Sequence, residues 1–228
     1  MGKVSIMNGT CYNPITLMGK MAGLCYGSNI EDDDKNYLRG LDCIESNHGR
    51  VLEFPTIYLS LDGYSARTIR QFYTHIAGAP SRLQSSTRYI DYANFDVVVP
   101  PKIMKDKKAL EIYEGAMERL RKDFSDLADC GIPIEDCSLV LPLGMTTKVC
   151  CKTNPRASIS MYEQRSCFRT YWEFRELMRD YKEALSDYSE EWRTLCDLTF
   201  KIKCQKANKC LEKHGCGIVF PVSAPVEK

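Results

Sequence analysis

Two stretches decide how this sequence is read. The first is Arg67-Thr68-Ile69-Arg70-Gln71-Phe72-Tyr73-Thr74-His75; the second, after Gly78 and Pro80, is Ser81-Arg82-Leu83-Gln84-Ser85-Ser86-Thr87-Arg88-Tyr89. Both crowd polar and basic side chains of a kind that a core rejects. In the first, Ile69, Phe72, Tyr73 and Ile76 fall at helical spacing behind Ser65, a good N-cap, which predicts a helix from Ser65 to about Ile76. On that helix Gln71 and His75 lie four apart on one face, with Arg67 one turn earlier. Gly78 and Pro80 stop it, and a polar loop of hydroxyls, backbone N–H groups and an arginine follows. Such a loop suits phosphate, because an anion needs convergent donors and a guanidinium supplies two in parallel. Spacing alone leaves the alternative open: a structural histidine followed by an ordinary turn.

Outward from this centre, Leu52, Phe54, Ile57, Leu59 and Leu61 alternate apart from a slip at Pro55, which predicts a strand from Val51 to Leu61 ended by Asp62-Gly63. A second strand-like run, Tyr89 to Val99, closes on Pro100-Pro101. Across 102–128 the residues Leu110, Tyr113, Met117, Leu120, Phe124 and Leu127 mark an amphipathic helix. Leu139 to Leu143 leads into a β-branched segment, Thr146 to Val149. Pro155 opens a helix expected to reach about Ser186, and another is expected from Ser189 to Glu212. Strands mixed with long helices, without regular β-α alternation, point to an α+β class. No linker is visible, so 1–228 reads as a single domain with a helical, cysteine-rich tail from about 189.

A second concentration of chemistry lies at Asn154-Pro155-Arg156, Ser160, Arg165 and Arg169. Arg156, Ser160 and Arg165 share roughly one side of the expected helix. The competing reading is a solvated basic face paired with Glu163, Glu173 and Glu176. The aromatic residues Phe168, Tyr171, Trp172 and Phe174 read as core, with stacking on a flat ligand as the alternative.

The chain of 228 residues is 44% hydrophobic and 27% charged, the profile of an ordinary globular protein, and its net charge of +1 gives no reason to propose a nucleic-acid polymer or an anionic membrane as partner. No apolar run approaches the ~20 residues that span a bilayer. The 12 cysteines form no C-x-x-C pair, and the spacing of Cys204, Cys210, His214 and Cys216 matches no compact zinc pattern. With no apolar leader at the N-terminus, reduced thiols in a cytoplasmic protein without a metal are expected.

The order of these pieces resembles the flavin-dependent thymidylate synthase family. His48-Gly49, Leu52-Glu53 and a strand, Gln71 with His75, Ser86-Thr87-Arg88-Tyr89, Leu141-Pro142, Thr146, Asn154-x-Arg156, Arg165 and Trp172-Glu173-x-Arg175 follow the family's order from about Cys25 to about Met178. The family's hallmark, R-H-R-x-x-S-x-N-E-x-S-x-R-Y, is altered here. Thr74 and Ile76 flank His75 in place of arginines, two residues are inserted, and Leu83-Gln84 replaces Asn-Glu. Phe54 stands for a histidine, and Ser138 for an arginine that binds nucleotide phosphate.

The resemblance implies an α+β domain with a mainly antiparallel sheet and long helices, like that of thymidylate synthase complementing proteins. It implies FAD-dependent transfer of one carbon to C5 of deoxyuridylate, with methylenetetrahydrofolate and NADPH as co-substrates, in a homotetramer with shared sites. Gln71, Ser86, Thr87 and Arg88 then look like nucleotide-phosphate ligands. Arg165 looks like the catalytic guanidinium facing the pyrimidine. His75, Gln84, Asn154, Arg156 and Ser160 look like flavin contacts. A flavoenzyme for another pyrimidine nucleotide, or a non-catalytic nucleotide- or flavin-binding relative, are the alternatives.

Overall fold

A computed structural model of the chain describes residues 2–213 and 215–217. Four strands, β1 (Lys3–Ile6), β2 (Ile57–Ser65), β3 (Ser81–Gln84) and β4 (Thr146–Thr153), form one antiparallel sheet in the order β1-β2-β4-β3. The helices are α1 (Pro14–Cys25), α2 (Asp33–Glu45), α3 (Ala66–Phe72), α4 (Pro101–Met104), α5 (Lys107–Asp129), α6 (Ile134–Cys137), α7 (Pro155–Arg165), α8 (Trp172–Tyr188), α9 (Glu190–Thr199) and α10 (Lys203–Ala207). This is the α+β architecture expected.

Packing divides the chain into two compact units. Unit one holds 60–74 and 82–150, together with Lys3; unit two holds 4–59, 75–81 and the chain from 151 onward. The strands β2 and β4 each begin in one unit and end in the other.

Unit one is organised by α5. Its apolar stripe buries Met117 and Phe124, and Met117 clusters with Phe95 and Met145 under Tyr113, Leu120 and Leu141. The Arg121 guanidinium donates to the Phe95 carbonyl oxygen through Nε and Nη2, at 3.1 and 3.0 Å, and lies over the Phe95 ring. The expected strand 89–99 is a loop in the structure, with a single bridge from Val97 to Met145. The alternating pattern reflects Phe95 turning into the cluster; without a ladder partner, β-propensity does not make a strand.

In unit two α1 and α2 pack closely, because Gly19 and Gly40 carry no side chain: a Cβ on Gly19 would overlap the Asn36 carbonyl oxygen, and one on Gly40 that of Ile15. Helices α8 and α9 bury Phe174, Leu177, Met178, Tyr181, Leu185, Trp192, Leu195 and Cys196. They also fasten residues 10–16. Tyr188 Oη donates to the Thr10 carbonyl (3.2 Å), Trp192 Nε1 to that of Cys11 (2.7 Å), and Ser189 Oγ to that of Tyr12 (2.7 Å). The Thr16 N–H donates to Glu191 at 2.9 Å.

Several boundaries differ from expectation. Val51–Glu53 is a 3-10 turn, so β2 starts at Ile57; it continues past Asp62 because Gly63 takes a φ of +73°, which side-chain-bearing residues avoid. Ser65 caps α3 as expected, accepting from the Thr68 N–H at 3.2 Å, but α3 ends at Phe72. The Thr74 hydroxyl donates to the Gln71 carbonyl at 2.7 Å and competes with the next helical bond. Residues 81–84, read as loop, are β3. The expected helix 155–186 breaks over 166–171, and the helix expected to reach Glu212 ends at Thr199, with α10 following. Of the aromatic residues read as core, Phe174 is fully buried and Phe168 is 58% exposed.

No helix among the described residues is long and apolar enough to cross a membrane. Burial pushes the Cys196 thiol up to about 12 and raises those of Cys11 and Cys43, whereas Cys25, Cys130, Cys150, Cys210 and Cys216 are exposed. Iodoacetamide at pH 8 therefore labels the exposed group first, with Cys196 slower by about tenfold or more, since the thiolate is the nucleophile. Peptide mass spectrometry over a time course checks this; equal labelling of Cys196 in the folded protein contradicts the packing.

Candidate active site

The residues singled out in the sequence fall into two groups. Gln71, Gln84, Ser86, Thr87 and Arg88 belong to unit one; His75, Asn154, Arg156, Ser160 and Arg165 belong to unit two. Because α3 ends at Phe72, Gln71 and His75 do not share a helical face, contrary to the spacing argument.

In unit one the loop after β3 is tightly built. The Ser85 N–H donates to the Lys148 carbonyl at 2.9 Å, and the Gln84 amide donates to the Thr147 hydroxyl at 3.3 Å. Ser86 Oγ accepts from the Arg88 N–H at 3.1 Å, which sets the turn 86–89. The Ser138 hydroxyl donates to the Thr87 carbonyl at 2.5 Å. The Arg88 guanidinium lies over the Tyr89 ring, and its Nε donates to Glu135 at 2.8 Å. On β3 itself, Arg82 stacks over Phe72 and Tyr73 and donates to the Tyr73 carbonyl at 3.1 Å.

In unit two everything is set by α7. Asn154 Oδ1 accepts from the Ala157 N–H at 2.9 Å, capping the helix, and Pro155 follows at its first turn. Gly78, at φ +71°, lies so close that a Cβ there would stand 3.0 Å from Asn154 Nδ2. Ser158 donates to the Asn154 carbonyl at 2.9 Å and shares a 2.8 Å hydrogen bond with the buried Tyr181 hydroxyl, whose titration burial pushes far upward. Arg156 forms an ion pair with Glu53. Arg156 and Ser160 line a cleft of about 510 Å3 together with Asn47, His48, Arg50 and Glu163.

At the last residue of α7, Arg165 Nε donates to His75 Nε2 at 2.7 Å. That nitrogen is therefore an acceptor, which places any ring proton on Nδ1. The guanidinium also lies 5.3 Å from the Phe174 ring, against which His75 packs at 5.9 Å. This trio holds a cation in one orientation. Arg169, read as part of the same helix, lies beyond it and pairs with Glu212 at 2.6 Å. Arg165 also lines a smaller cavity of about 260 Å3 with Cys167, Cys204 and Cys210. His214 of the cysteine-rich tail lies outside the described residues, and among the described residues no His, Cys, Asp or Glu group is arranged to hold a metal.

Comparison with known proteins gives this geometry a family. The family model described as thymidylate synthase complementing protein matches residues 9–188. The chain belongs to that family. A flavin-dependent thymidylate synthase of Geobacter sulfurreducens is 31% identical over 174 residues, 72% of this chain and 74% of the relative. Another, from Nitratidesulfovibrio vulgaris, is 29% identical over 140 residues, 58% of this chain and 56% of the relative. A solved flavin-dependent thymidylate synthase of Helicobacter pylori, complexed with FAD and dUMP, superposes with a TM-score of 0.66 at 16% identity, covering 85% of this chain and 99% of that one. At that identity the likeness speaks to the fold.

Sequence reading missed the partners of its own candidates. Glu53 stands in the ordered motif with no role that the motif implies, and nothing in the sequence ties Glu135 and Ser138 to the loop at 86–88. Charge complementarity at long sequence separation carries no local signature. Beside Arg156 in the cleft, His48 is legible in the sequence only through its His-Gly motif, and Arg50 carries no signal there.

Because Asn154 is the cap of α7, Asn154→Ala is expected to lower stability by about 1 kcal/mol. Asn154→Asp, which keeps the acceptor, is expected to retain the wild-type melting temperature. Thermal melts of both variants check this; equal melting temperatures for Ala and Asp remove the cap from the account.

Proposed function

We propose that this chain is a flavin-dependent thymidylate synthase: it transfers a one-carbon unit from methylenetetrahydrofolate to C5 of deoxyuridylate, using FAD and reducing equivalents from NADPH. The observation that carries the reading is Arg165, a guanidinium fixed by His75 and Phe174 at the end of α7, in a chain whose family match spans 9–188.

Arg165 faces the pyrimidine and stabilises negative charge spreading toward N3 as C5 reacts. A guanidinium already oriented does this with little reorganisation, so it favours the transition state over the ground state. Gln71, Ser86, Thr87 and Arg88 take the nucleotide phosphate, the hydroxyls and N–H groups of the turn surrounding one guanidinium. His75, Gln84, Asn154, Arg156 and Ser160 contact the flavin. The fit to a flavin with its diphosphate rests on the cleft of unit two, where Arg50, Arg156, His48 and Ser160 line one concavity. Once reduced, the flavin supplies the hydride and the folate supplies the carbon. The chain, read as one domain over 1–228, works in the cytoplasm as a homotetramer and needs neither metal nor nucleic-acid polymer.

A flavoenzyme for a different pyrimidine nucleotide is the second reading, favoured by Ser138 in place of the expected arginine and by the altered hallmark. Complementation of a thymidine auxotroph separates the two.

Arg165→Ala and Arg165→Lys are both expected to lower turnover by about 10²–10³ with a smaller effect on nucleotide binding, because a point charge cannot reproduce the planar fork. Single-turnover oxidation of reduced flavin with deoxyuridylate and methylenetetrahydrofolate checks it; near-normal turnover of Arg165→Lys removes Arg165 from the chemistry. Light scattering is expected to give the mass of four chains, and a stable monomer at working concentration contradicts the shared-site reading.

A further inference from the structure

The segment that begins α6 reaches the phosphate loop of unit one at two points. Glu135 Oε2 accepts from Arg88 Nε at 2.8 Å, and the Ser138 hydroxyl donates to the Thr87 carbonyl at 2.5 Å. From Gly131 to Thr147 the sequence contains Glu135 and Asp136 but no lysine or arginine, so this segment brings negative charge to the loop and nothing to offset it. The Arg88–Glu135 pair is open to solvent, with side chains 63% and 49% exposed, so an incoming anion reaches the guanidinium without dismantling a core.

We propose that Glu135 is a specificity-determining residue, a fixed negative charge beside Arg88 that admits a nucleoside monophosphate and disfavours a di- or triphosphate. The inference rests on Arg88 taking the nucleotide phosphate, as proposed above. The Arg88–Glu135 pair has no net charge, so the first phosphate group is held largely by geometry, through hydroxyls, N–H groups and the guanidinium fork. Each further phosphate adds at least one negative charge close to the carboxylate. At ~6 Å in partly solvated surroundings, one such repulsion weakens affinity about three- to tenfold. A carboxylate that merely tethers Arg88 has a different signature: its loss loosens the guanidinium for every anion equally.

The test is titration calorimetry of deoxyuridine monophosphate and deoxyuridine diphosphate on the full chain at fixed ionic strength. It compares wild type, Glu135→Gln, Glu135→Asp and Arg88→Ala, with thermal melts to establish that each variant is folded. Glu135→Gln, an uncharged isostere, is expected to tighten the monophosphate about three- to tenfold and the diphosphate more, so that the ratio of their dissociation constants falls by about three- to tenfold. Glu135→Asp, which keeps the charge, is expected to keep the wild-type ratio. An unchanged ratio in Glu135→Gln, or equal weakening of both ligands, overturns the role of Glu135. If Arg88→Ala weakens both ligands while that ratio stays fixed, the phosphate assignment stands and only Glu135 is removed. If Arg88→Ala changes neither constant, the phosphate assignment fails, and the inference with it.

Discussion

The chemistry of unit two depends on where one short helix begins. Asn154, in extended backbone, turns its side-chain oxygen onto the Ala157 N–H and commits the chain to α7 from Pro155. From that point geometry is dictated by a rise of about 1.5 Å and a rotation of about 100° per residue. Arg156 and Ser160 then come out on the face that lines the cleft with Asn47–Arg50, and Arg165 comes out at the C-terminal end, in reach of His75. A helix started one residue later would rotate all three side chains away together. The Ser158–Tyr181 hydrogen bond holds the same helix against α8, so its orientation and its starting point are fixed by different groups.

Electrostatics then divides the arginines by task. Arg156 pairs with Glu53, Arg88 with Glu135 and Arg169 with Glu212, all at partly exposed positions where such pairs contribute little to stability. Arg165 stands in different surroundings: it is half-buried, donates to the His75 ring and lies over the Phe174 ring. A guanidinium held this way is oriented before any substrate arrives. That is the condition for acting on charge that appears only during a reaction.

Much of this was legible in the sequence wherever the signal was local. The Ser65 cap, the amphipathic stripe of α5, the strand at Thr146 and the start of α7 at Pro155 are all short-range patterns, and all are present. What escaped were ends and partners. The helix after Ser65 stops early because the Thr74 hydroxyl takes the Gln71 carbonyl. The helix after Pro155 breaks where Ser166–Thr170 forms a turn, the Thr170 N–H donating to the Cys167 carbonyl at 2.8 Å. Each is a polar side chain or backbone group winning over continued periodicity, a contest that residue counting does not see. The ordered motifs located Arg165, but only the fold shows that His75 and Phe174 hold it.

The fastening of residues 10–16 to α8 and α9 has a temporal side. These bonds link positions separated by 175 to 181 residues, and Trp192, the anchor of the arrangement, is fully buried. On the ribosome, α1 and its neighbours emerge long before Trp192 exists, and at about 5–20 residues per second they wait on the order of ten seconds or more for their lid. During that interval α1 has α2 beside it, but the part of its surface that α9 later covers stands open to the cell. This part of unit two therefore closes only once residues 188–192 have been made, and its early helices are a natural client surface for whatever shelters nascent chains.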